Sequence, residues 1–316
     1  MAVACGAGLS SLAAAPAWAF HPWGWQHALR VVRDLRTDPP QAPLVVLLGG
    51  SCARESTVSD QSWTAEVLRR GSPVVAYNLG SSNQTFEQDV ALVEGLPRVP
   101  AIVFIALNRG RFTAAATVTT SIAPSRAKGI YTQHHYSSAS IEAPKRKRAR
   151  VRFWVRMRYS RFEQHYAADA AVLDRLIGVC LRLGYHPVLL EMPRNVAVIG
   201  HAFDAAISKY QAGAQKLVTR HRIPYLRFVH DLHLASTDFY DDDHLVESGR
   251  PKFQGRLAQE TSRLLALYGM QPARAGTAAT PSASGAGELV AWPLGAAAVV
   301  AAGALALRRR TKHPLL

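Results

Sequence analysis

The stretch VVLLGGSCARES, Val45 to Ser56, reads as the end of a strand running into a tight Gly-Gly turn, with Ser51 as the first residue beyond it. An uninterrupted apolar run between Pro43 and Gly49 predicts a strand buried on both faces, as in a parallel sheet sandwiched between helices. In such sheets ligands bind outside the carboxyl ends of the strands. Ser51 therefore stands either as a nucleophile or as a plain turn residue.

Outward from that strand, the body from about Phe20 to Met270 alternates strand-like and helix-like segments, which predicts an α/β fold with a parallel sheet covered on both sides. The strands expected are Pro43–Gly49, Pro73–Asn78, Ala101–Leu107, Pro187–Glu191 and Pro224–Val229. The helices expected are Trp25–Arg36, Gln61–Arg70, Thr85–Glu94, Ala168–Leu183, Ala202–Arg222 and Val246–Tyr268. Cys180 fits the apolar face of the fourth helix and reads as core.

The positions after the strand ends hold the chemistry. Ser51 follows the first strand, Asn78-Leu79-Gly80 the second, and Asn108 the third, while Asp241-Asp242-Asp243-His244 precedes the last helix. A hydroxyl needs a base to take its proton, and an imidazole base needs a carboxylate to hold its tautomer. A glycine N–H and an asparagine amide are suitable donors to an oxyanion. Taken singly, Gly80 is a turn glycine, Asn108 a capping residue and the three aspartates a solvated turn.

Taken together and in this order, the blocks GGSCARES, YNLGSSNQT, ALNRG and DDDH resemble those of the SGNH (GDSL-type) hydrolases. Gly50 and Ala106 depart from the pattern, standing where that family often has Asp and Gly. The resemblance implies a three-layer α/β/α flavodoxin-like sandwich with a parallel five-stranded sheet. It implies Ser51 as nucleophile, His244 as base, Asp241 as the group orienting it, and an oxyanion hole of the Ser51 N–H, the Gly80 N–H and the Asn108 amide. The reaction implied is hydrolysis of an ester-linked acyl group, or its transfer to another acceptor, on a carbohydrate, wall polymer or lipid. It calls for no organic cofactor and no metal. A surface-binding protein with decayed catalysis is the alternative on the same fold.

Other polar groups are weaker candidates. Glu191 and Arg194 lie just past the fourth strand and are expected to contact substrate. His134-His135 stands either at a substrate entrance or in a solvated loop. His230-Asp231-Leu232-His233 lacks further residues at ligand spacing, and a satisfied loop is the better reading.

The 316 residues carry a formal charge of +15, of which nine Lys or Arg fall between Lys145 and Arg161. That run interleaves with Phe153, Trp154, Val155, Met157 and Tyr159 inside an insertion spanning about 113–165. It reads either as an interfacial membrane segment or as a solvated basic loop leading into the helix at Ala168. Residues 1–19 end in Ala17-Trp18-Ala19 and read as a signal peptide or N-terminal anchor. Residues 271–288 read as a flexible linker. Leu289–Leu307 is a 19-residue run without a charge, covering about 28 Å as a helix, long enough for one transmembrane pass. The basic tail 308–316 is then cytoplasmic and the body extracytoplasmic, attached to the cell membrane by a single pass. An exported body excludes nucleic acid as a partner.

Overall fold

The structure, a computed structural model, describes residues 24–113 and 136–270. The N-terminal segment 1–19, His134-His135, the linker, the apolar run Leu289–Leu307 and the basic tail lie outside the described residues. Strands β1 (Leu44–Leu48), β2 (Val75–Asn78), β3 (Ala101–Leu107), β4 (His186–Glu191) and β5 (Tyr225–Arg227) form one parallel sheet. Their order is β2-β1-β3-β4-β5. β1 and β3 are apolar and buried at every position, as strands covered on both faces must be.

Alternation along the strands divides the core in two. Leu44, Val46 and Leu48 pack beneath α1 (Trp25–Thr37), α4 (Phe86–Gly95), α5 (Pro144–Arg182) and α7 (Asp204–His221). Val45 and Leu47 face the other layer, formed mainly by α3 (Asp60–Arg69) and α9 (Arg250–Leu267). Three-layer α/β/α architecture follows directly. Local signals set the helix starts: the Ser59 side chain caps α3, and Thr85 with Gln88 forms a capping box on α4.

Two elements differ from the sequence expectation. The basic run is not a loop leading into a helix at Ala168; it is the first half of the 39-residue α5, about 58 Å long. Pro144 occupies the first turn, where its missing N–H is harmless, and the Arg, Lys and Met that follow are good helix formers. A stripe of Lys147, Val151, Trp154, Arg158 and Phe162 faces the body at helical spacing, so the apolar periodicity is hidden by two cations that turn inward. The fifth strand stops at Arg227 instead of Val229, because Phe228 turns inward onto Phe253, with ring centroids 5.6 Å apart, in the short helix α8 (Phe228–Asp231).

The order of the sheet reverses between β1 and β3, and the crevice at that reversal is where an open α/β sheet binds ligands. Ser51 follows β1 there and Asn108 follows β3. Gly49 lets these two strand ends close up. A Cβ at Gly49 would lie 2.6 Å from the Ala106 Cβ and 2.7 Å from the Ala53 Cβ.

Candidate active site

Ser51 is the first residue of α2 (Ser51–Arg54), with Gly50 extended at its N-cap. Its Oγ lies 2.8 Å from His244 Nε2. The other ring nitrogen, Nδ1, lies 2.9 Å from each carboxylate oxygen of Asp241. With Nδ1 donating to Asp241, the neutral ring presents the Nε2 lone pair to the Ser51 hydroxyl. The loop fixes this geometry internally, since Asp241 Oδ1 also accepts from the backbone N–H groups of Asp243 and His244.

Of the three consecutive aspartates, Asp241 alone is hydrogen-bonded to the imidazole in this way. The Asp243 carboxylate stands 3.2 Å from Nδ1. Asp242 turns away to an ion pair with Arg109, which also approaches Asp243 at 3.3 Å. Arg109 is buried, lying over the rings of Phe203 and Trp154 at 4.3 and 4.8 Å. One guanidinium thus offsets two carboxylates packed against the dyad.

These charges set the protonation states. Burial opposes a charged imidazole at His244, but Asp241 and Asp243 outweigh it and push the ring up to about 9. Burial likewise opposes ionisation of Asp241, yet the His244 cation and the accepted hydrogen bonds hold its carboxyl well below the usual range. Burial raises Asp242 to about 7, with Arg109 opposing and the neighbouring aspartates adding to the rise.

Two of the three expected oxyanion donors, the Gly80 N–H and the Asn108 amide, are engaged within the protein. The Gly80 N–H donates to Asn78 Oδ1 at 3.0 Å. Asn78 Nδ2 also binds the Ala53 carbonyl and Thr57 Oγ1, stapling the turn after β2 to the nucleophile turn. Asn108 Nδ2 donates to Cys52 Sγ at 2.7 Å and reaches Asp243 Oδ2 at 3.4 Å, while Oδ1 accepts from the Arg111 N–H. No acceptor among the described residues meets the Ser51 N–H.

Glu191 and Arg194 pair with each other past the end of β4. Glu191 is fully buried, and its carboxylate accepts from Arg194, Tyr210, Gln211, Tyr225 and Arg227. It ties β4 to α7 and β5, and its partners leave no position for substrate. Arg194 is held in the same cluster. Cys180 is buried, as a core residue should be.

Several residues around the site escaped the sequence reading. Tyr136 stacks on Tyr240 at 4.0 Å and lies 4.7 Å from the His244 ring, covering the imidazole. Arg150, on α5, pairs with Glu142 and approaches Asp241 Oδ2 at 3.6 Å. Beneath the nucleophile turn, Glu55 is fully buried between Arg54 and Arg250. Only the position of Arg109, directly after Asn108, offered any signal in the sequence. For a cation, the carboxylates of Asp241, Asp242 and Asp243 converge, as do Cys52, Asp243 and His244. Their charge is met by Arg109 and His244.

No protein-family model matches the chain, and no curated protein matches it in sequence. Solved structures with some likeness include a member of the lipolytic protein G-D-S-L family from Veillonella parvula, 11% identical over 69% of this chain and 97% of that one, with a TM-score of 0.42. A psychrotrophic esterase from Pseudoalteromonas sp. is 10% identical over 71% of this chain and 98% of its own, with a TM-score of 0.41. An acetyl xylan esterase is 11% identical over 70% and 99%, with a TM-score of 0.41. At such identities and with TM-scores below 0.5, the weight rests on the geometry of the site.

Proposed function

We propose that this chain is a serine ester hydrolase of the SGNH (GDSL-type) kind, acting on an acylated carbohydrate, wall polymer or lipid outside the cell. One observation carries the reading: Ser51 Oγ, the His244 ring and the Asp241 carboxylate are in hydrogen-bonded series at the carboxyl edge of the sheet. In this reading Ser51 Oγ bonds to the acyl carbon as its proton passes to His244 Nε2. The carbonyl oxygen becomes an oxyanion facing the Ser51 N–H and the Asn108 amide, which exchanges its contact with Cys52 for the stronger charged acceptor. Collapse breaks the ester C–O bond, and His244 returns the proton to the departing alcohol. Water then enters by the same path in reverse and frees the acid.

The test is labelling by a fluorophosphonate, with hydrolysis of p-nitrophenyl esters and release of acetate from O-acetylated polysaccharides measured in parallel. The wild-type protein is expected to label at Ser51. Ser51→Ala is expected to lose labelling and to lose ester turnover by several orders of magnitude while its melting temperature stays near wild type. Full turnover by Ser51→Ala contradicts the mechanism.

A further inference from the structure

The first half of α5 is held to the body on one side and bare on the other. Lys147 Nζ donates to the carbonyls of Ser236 and Phe239, and Arg150 pairs with Glu142, so these two cations and the stripe through Val151 and Phe162 fix which way the helix is turned. The opposite side and its flanks expose Lys145, Arg146, Arg148, Arg152 and Arg156, and Arg161 is exposed further along, nearer the edge of the stripe. Between Lys145 and Arg161 there is no acidic residue at all. Among the described residues, the only ion pair these six cations make is that of Arg146 with Glu142, at 4.0 Å. Phe153, Val155 and Met157 are large apolar residues exposed among them, by 55%, 40% and 52%. Phe153 and Met157 lie one turn apart on the same side.

We propose that this outer face of α5 is a docking surface for an anionic lipid bilayer, with the arginines among the headgroups and Phe153 and Met157 entering the acyl boundary. Charge complementarity calls for a polyanionic partner, which a phosphate-bearing leaflet is. The exposed apolar side chains then choose between polyanions. A sugar or phosphate polymer offers them nothing to enter, whereas the interface of a bilayer takes the apolar side of a basic helix. The 19-residue uncharged run at Leu289–Leu307 is a second sequence feature suited to the same environment. This proposal stands apart from the ester-hydrolysis reading, and its test requires no turnover.

An environment-sensitive fluorophore at Met157→Cys, in the full-length chain with Cys5→Ser, reports on the face directly, since Cys52 and Cys180 are buried. A second protein carries the label at Gln259→Cys, exposed on α9 in the opposite helix layer. With vesicles of phosphatidylglycerol and phosphatidylcholine, the label at 157 is expected to shift to the blue and to be quenched by spin-labelled lipid. The label at 259 is expected to stay wet. Arg152→Glu with Arg156→Glu is expected to cut the response at 157 by more than about tenfold, with unchanged circular dichroism. A label at 157 that stays wet on anionic vesicles overturns the proposal. So does a response to soluble polyglutamate without one to vesicles, which identifies a polymer-binding face instead.

Discussion

At the scale of single residues, the site is governed by how the carboxylates of Asp241, Asp242 and Asp243 and their counter-charges share a small buried volume. The His244 base works only when neutral. Because burial is outweighed by Asp241 and Asp243, the ring titrates at about 9, so kcat/KM should rise with pH and level off only above that value. A profile already flat between pH 7 and 10 contradicts this electrostatic account. The same shift has a stability consequence of definite sign. The folded value lies above the unfolded one of ~6.5, so the protonated ring stabilises the fold fully below pH ~6.5, and the contribution fades as pH rises through about 9. Melting temperatures of Ser51→Ala across this range measure it without interference from turnover. Arg109 should matter through its absence. Removing it leaves Asp242 buried without its partner, a change that typically costs about 3–5 kcal/mol. Arg109→Ala should therefore unfold at markedly lower denaturant concentration than wild type, and an unchanged midpoint contradicts its role as counter-charge.

At the scale of elements, the nucleophile is presented by two strand ends that touch. Gly49 and Ala106 meet so closely that a side chain at 49 collides with both Ala106 and Ala53. Gly49→Ala should destabilise by about 1–3 kcal/mol through overpacking, and Ala106→Gly in the same protein should recover part of that loss. Additive losses in the double variant contradict the contact. The same pair shows what was legible in the sequence. The strand ending at Gly49 and the all-apolar β3 were readable because burial on both faces leaves an unbroken apolar run. The residues after the strand ends were readable because an open parallel sheet directs chemistry to that edge. The sequence order of Ser51, Asn108 and His244 therefore pointed to side chains that the fold brings together. What could not be read was how charges pair in space. Glu191 looked like an edge residue open to substrate, and only the three-dimensional arrangement of Tyr210, Gln211, Tyr225 and Arg227 shows its carboxylate filled. Likewise, the inward turn of Lys147 and Arg150 depends on carbonyls and carboxylates up to 92 residues distant, so composition alone left the first half of α5 open between an interfacial segment and a loop.

At the scale of the whole molecule, the question is which side of a membrane supplies the ester. Among the described residues no helix is long and apolar enough to cross a bilayer, and the uncharged run Leu289–Leu307 lies outside them. We propose that this run spans, with Arg308–Lys312 retained in the cytoplasm by the positive-inside rule. The body would then face outward, towards acylated wall polymer or outer-leaflet lipid. The described body ends at Met270, and α9 packs Phe253, Leu257, Leu264 and Leu265 into the core before that point. A chain stopped after Met270 therefore keeps every element of the described core. It should be released into the medium or periplasm and label with fluorophosphonate as the full chain does. The full chain should sediment with membranes, and protease added to whole cells or spheroplasts should cut its body and spare the tail. The reverse pattern, with the body protected and the tail cut, places the site in the cytoplasm and requires an intracellular acyl ester in place of an extracellular one.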